Sequence, residues 1–108
     1  MAKTIILNEA NEKFVSIASC WEVAIKLSLN KLALAGGASE FFRIIHSNGF
    51  RLLQVAEGHL NILELLPFHH RDPFDRLLIA TAIAEQLILL TDDPQMRAYA
   101  GERLLVMS

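Results

Sequence analysis

Cysteine is almost missing from this chain: Cys20 is the only one among 108 residues. No intrachain disulfide can form and no cage of thiolates can hold zinc, so a reducing, cytoplasmic setting is the simple inference. The neighbouring Trp21 suggests that Cys20 does ordinary core packing. An excess of base is missing too. Ten Lys and Arg against twelve Asp and Glu give a formal net charge of −2, which excludes a global basic field and leaves room only for local contacts with nucleic acid. Long apolar runs are absent as well. The longest, Leu77 to Ala84, is interrupted by Thr81 and stops at Glu85, far short of the roughly 20 residues a membrane span needs. The opening MAKTIILNEANEK carries charges where a secretion leader would be apolar, so none is expected. With five Gly, three Pro and 53% hydrophobic residues, the composition is that of a folded chain and not of a linker or a disordered tract. Its length suits one domain, spanning residues 1–108.

What is present alternates in type along the chain. Residues 2–12 place Ile5, Ile6 and Ala10 apart from Glu9 and Glu12, and the spacing predicts an amphipathic helix. FVSIA at 14–18 reads as a short buried strand. Ser19 with Glu22 three residues on has the spacing of a capping box, opening a helix to about Asn30. A helix over 39–48 should turn Phe41, Phe42, Ile44 and Ile45 to a core and stop at Asn48-Gly49. RLLQVA at 51–56 suits a strand, 57–66 a helix, and 67–73 a loop. The pattern from Pro73 to Gln86 is helical, with Leu77, Leu78, Ala80 and Ile83 inward. LILLT at 87–91 has the unbroken apolar character of a strand covered on both faces. A short helix at Asp93-Pro94 and a strand at 103–107 complete the series. Strands alternating with helices predict an α/β layered fold with a mostly parallel sheet.

The four aspartates, Asp72, Asp75, Asp92 and Asp93, all fall within 72–93, beside expected helix starts. One account is capping: Asp72 before Pro73, and Asp93 before Pro94. Glu22 likewise has plain roles, with Ser19 or as an i,i+4 partner of Lys26. The other account begins from position. Ligands of open parallel sheets bind beyond the carboxyl ends of the strands, and Ser19/Glu22 and Thr91/Asp93 both follow expected strands. Carboxylates converging there, without histidine or thiolate, make an all-oxygen site suited to Mg²⁺ or Mn²⁺ and to phosphodiester hydrolysis. Because helix N-termini favour carboxylates, capping and metal binding are compatible.

Three stretches carry a resemblance to a known family. SIASCWEVAIKLSLNKLAL (16–34), GFRLLQVAEGHL (49–60) and HHRDPFDRLLIATAIAEQLILLTDDPQM (69–96) resemble the corresponding stretches of VapC-like PIN domains, toxin ribonucleases, and the likeness extends over about residues 3–106. It implies a PIN-like three-layer α/β fold, with a central mostly parallel sheet flanked by helices. It further implies Mg²⁺ or Mn²⁺ at an acidic pocket formed by Glu22, Asp75 and Asp93, possible help from Asp72, and Ser19 and Thr91 in support. Arg71, Arg76, His69 and His70 rim that region and could touch RNA phosphates, or be solvated loop groups.

The chain departs from the family's pattern at its start. Members open with an apolar strand ending in a metal-binding aspartate, followed by a helix, and this chain has no such segment. The reading is therefore of an N-terminally truncated member, lacking the usual first strand and helix; Glu9 and Glu12 are poor substitutes for the absent carboxylate. A missing central strand would expose two sheet edges, which the remaining strands or a second copy could close, so a homo-oligomer is expected. The functional expectation is a Mg²⁺- or Mn²⁺-dependent ribonuclease of the toxin type, with an RNA substrate and a cognate antitoxin. The alternative is a catalytically impaired remnant acting as an antitoxin-binding or self-association module.

Overall fold

The first residues of the chain depart furthest from the expectation. In a computed structural model, which describes residues 4–8, 10–68, 72–91 and 104–106, Thr4–Leu7 is a strand, β1, and not part of a helix. Two local features are compatible with this. Thr4, Ile5 and Ile6 are three β-branched side chains in a row, which suit a pleated surface better than a helix. Asn8 and Glu12 are then tied together: Asn8 Oδ1 accepts the Glu12 backbone N–H at 2.9 Å, Asn8 Nδ2 donates to Glu12 Oε1 at 2.8 Å, and Asn11 takes a left-handed φ of 63°. Asn tolerates that conformation and bonds its own local backbone, which ends a helix before it starts. The chain then returns as β2, Lys13–Ser16, antiparallel to β1.

After β2 come helices α1 (Ile17–Ser28) and α2 (Gly37–Ser47), strand β3 (Arg51–Leu53), helices α3 (Glu57–Leu65) and α4 (Pro73–Glu85), and strands β4 (Ile88–Thr91) and β5 (Leu104–Val106). The five strands form one sheet in the order β3-β2-β1-β4-β5. β2 pairs parallel with β3, and β4 with β5, whereas β1 is antiparallel to both of its neighbours. Four strands therefore point one way, as a mostly parallel α/β sheet requires. The exception lies at the centre, where β1 pairs with β4 from Thr4↔Thr91 to Leu7↔Ile88. The central position expected to be vacant is filled by this chain's own residues, so β2 and β4 both pair with β1 where open edges were expected.

Burial accounts for the placement. Ile6, 2% exposed, packs with Leu89 of β4 and with Leu78, Ile79 and Ala82 of α4, and Phe14, Leu53 and Leu66 close around them. Removing several such side chains from water, at about 1.5–3 kcal/mol each, outweighs any local helical preference of four residues. At the turn, Arg51 Nη1 donates to Glu12 Oε2 at 2.8 Å. Hydrogen bonds from Asn8 first, and then from Arg51, hold the Glu12 carboxyl below its ordinary pKa.

Helix starts follow their capping chemistry. Ser16 is the N-cap of α1, its Oγ accepting from Ala18 N at 3.1 Å. The capping box expected at Ser19 is thus displaced by one helical turn: β2 ends at Ser16, and the first serine in extended conformation takes the cap. Asp72 caps α4 as expected, with Oδ1 accepting from Phe74 N (2.8 Å) and Asp75 N (3.1 Å) and Pro73 at the first helical position. Along α4 the expected inward set is partly corrected. Leu78, Ile79, Ala80, Thr81 and Ala82 are buried, and Ile83 is exposed. Cys20 is buried, which pushes its thiol pKa up; Trp21 beside it is not.

Candidate functional site

Topology gathers the acids at one end of the sheet. β2 and β4 point the same way, and α1 leaves β2 without an intervening residue. Helix α4 reaches β4 through only Gln86 and Leu87, so it runs back along the strand. A helix of 13 residues is about 20 Å long and a four-residue strand about 13 Å, which carries the first turn of α4 to the carboxyl end of β4. Asp72 and Asp75 therefore lie at the strand end that Thr91 closes, and α1 brings Glu22 there from β2. β1, running the other way, contributes its amino end, with Thr4 paired to Thr91.

A ring contact ties the two helices together. Trp21 of α1 and Phe74 of α4 meet edge to face, with centroids 5.2 Å apart and planes at 71°. Each aromatic immediately precedes an acid, Glu22 and Asp75 respectively, so the contact sets the acid-bearing turns side by side. Asp75 is 6% exposed. Glu22 is partly buried, with Lys26 Nζ 3.4 Å from its Oε2, the i,i+4 pair that the sequence allowed. Ser19 lies in the first turn of α1, partly buried. Asp72 has one carboxylate oxygen committed to the backbone of α4.

Arg76 has a different occupation from the RNA-rim role expected of it. It is 5% exposed, and its guanidinium donates to the carbonyls of Pro67 (2.9 Å), Leu63 (3.2 Å) and Leu66 (3.3 Å). Those carbonyls lie at and just beyond the end of α3, where that of Leu63 also accepts the Leu66 N–H at 3.3 Å. The ring of Phe68 covers the guanidinium at 4.0 Å. Arginine in this position fastens the α3 terminus to α4. Asp93 with the short helix expected there, and Arg71, His69, His70 and Glu9, lie outside the described residues.

Two features were not found by sequence reasoning. His59 is 1% exposed and joins α3 to α4: its Nδ1 accepts the N–H of Ala56 at 3.1 Å, which fixes the hydrogen on Nε2, and Nε2 donates to Glu85 Oε1 at 2.8 Å. Ala56 has no side-chain oxygen to accept the His59 N–H, which bonds the Ala56 carbonyl at 3.0 Å instead, and the His59 ring supplies the other half of the cap from inside the helix. The second feature is the Trp21–Phe74 pair. Its signal was present as a repeated aromatic–acid dipeptide, Trp21-Glu22 and Phe74-Asp75.

Among the described residues no three His, Cys, Asp or Glu side chains cluster closely enough to hold a metal. Those near the strand ends are carboxylates, an oxygen set that fits Mg²⁺ or Mn²⁺ better than softer metals. Among those residues, too, no helix is long and apolar enough to cross a membrane.

The site is that of an α/β protein with acids at the carboxyl ends of its parallel strands. The family model of the PIN domain matches residues 2–102, and the chain belongs to that family, which is a family of nucleases. No curated protein and no solved structure matches the chain.

Proposed function

We propose that this protein is a Mg²⁺- or Mn²⁺-dependent ribonuclease of the VapC toxin type, acting in a toxin–antitoxin pair in the cytoplasm. The observation that supports this reading is the contact of Trp21, at the second turn of α1, with Phe74, in the first turn of α4, each of which immediately precedes an acid, Glu22 and Asp75. Asp93 follows β4 by two residues and is assigned as the third carboxylate. Glu22, Asp75 and Asp93 would hold a divalent metal, which would supply an activated water and offset charge on the leaving oxygen; Asp72 is a neighbour whose cap keeps the first turn of α4 in place. Ser19, in the first turn of α1, and Thr91, at the end of β4, are assigned supporting roles.

The test is cleavage of structured RNA with Mg²⁺ or Mn²⁺. Activity is expected in the native protein and is expected to fall to background in Asp75→Ala and Asp93→Ala. Native protein inert with both metals would overturn the assignment.

A second reading has its own support. The central strand β1 is Thr-Ile-Ile-Leu, with no carboxylate, and the described residues bring no three metal-binding groups together. On that reading the chain is an impaired PIN remnant that binds an antitoxin or itself. Calorimetric titration with Mn²⁺ separates the two, since the nuclease requires measurable binding and the remnant requires none.

A further inference from the structure

We propose that Trp21, held by Phe74, is a stacking platform for an unpaired base of single-stranded RNA beside the Glu22/Asp75 turns. The inference rests on the nuclease reading and adds the means by which substrate is held. Trp21 is 62% exposed, although burying an indole returns more free energy than burying almost any other side chain. It is nevertheless fixed: the edge-to-face contact with Phe74 orients the ring, and the N–H of Phe74 is itself bound by the Asp72 cap at 2.8 Å. An exposed ring in a fixed orientation loses little freedom when a flat partner stacks on it.

Charge among the described residues favours such a platform. The chain has a net charge of −2, Lys26 leans on Glu22, and Arg76 is turned into the protein. Attraction to phosphates, the usual source of affinity for nucleic acid, is weak among the described residues of this site. Stacking is independent of charge and of base identity. A protein-docking surface would require a broad apolar patch, whereas Trp21 is the single exposed large apolar side chain within α1. That favours a base over a protein.

Trp21 is the sole tryptophan, so its emission reports the site directly. The full chain is titrated in EDTA with a fluorescently labelled, uncleavable 2′-O-methyl oligonucleotide, following tryptophan emission and anisotropy together. Saturable quenching is expected at the Kd given by anisotropy, with a shallow dependence on salt. An abasic strand with the same phosphates is expected to bind roughly tenfold more weakly, and Trp21→Ala to lose affinity by a similar factor, while Trp21→Phe retains most of it. Absence of binding, binding without quenching, or equal binding of the abasic strand would overturn the proposal. So would emission that responds only to raised protein concentration, which would make Trp21 a contact between copies. Because the titration needs no turnover, quenching in a protein that cleaves nothing would retain the platform and reject the nuclease, and cleavage without quenching would do the reverse.

Discussion

The starts of α4 and α1 both carry an acid assigned to the site, yet they are built differently. At α4 the first turn is fixed from several sides. Asp72 binds two backbone N–H groups, Pro73 sets the entry angle, and Asp75 and Arg76 are buried. At α1 the cap is a single hydrogen bond accepted by Ser16, there is no acid in the first turn, and Glu22 lies in the second, held by one partly exposed lysine. The difference assigns distinct duties. In the proposed site Asp75 would be the rigid anchor, its position dictated by the core, and Glu22 the adjustable carboxylate, able to shift toward charge without disturbing the fold.

The largest break in that contrast comes from Arg76→Ala. It removes the guanidinium's hydrogen bonds to the carbonyls of Leu63, Leu66 and Pro67 together with a buried side chain, and is expected to cost about 3 kcal/mol or more. Urea unfolding is the measurement, and an unchanged midpoint would mean that the guanidinium does not hold α3 to α4. Asp72→Ala should be intermediate. Losing an N-cap costs about 1 kcal/mol, and Asp72→Asn, which keeps the accepting oxygen, should recover most of it; equal loss in both variants would show that the carboxylate acts through its charge and not through capping. Lys26→Ala is the smallest. The pair it breaks is partly exposed and lies within one helix, so about 0.3–0.5 kcal/mol is expected, fading in high salt. A loss as large as that of Asp72→Ala would show that Glu22 is held as rigidly as Asp75.

Much of this was legible in the sequence because it is local. The Asp72-Pro73 start of α4 depends on residues within one turn of each other, and the apolar run of β4 needs no knowledge of its neighbours to be read as a covered strand. The Glu22/Lys26 pair follows from helical spacing alone. Ser19 was misplaced as a cap because two serines stand three residues apart before the same helix, and only the end of β2 decides between them. Ile83 was read as inward because α4 is apolar on most of its circumference, which blurs the period that would reveal its outer face. His59 could not be found at all: nothing local marks a histidine that caps its own helix and reaches a glutamate 26 residues away.

By itself, then, the amino-acid sequence determined the α/β class, the helix starts set by nearby caps, and the family stretches that carry Glu22, Asp75 and Asp93. Tertiary structure alone decided that Thr4–Leu7 is a central antiparallel strand, that Arg76 faces inward, and that Trp21 meets Phe74. The physical reason is range. Caps and periodicity act over one or two turns, whereas the conformation of β1 is set by pairing with β4, more than 80 residues away in the chain, and no local pattern records the burial of Ile6 against it.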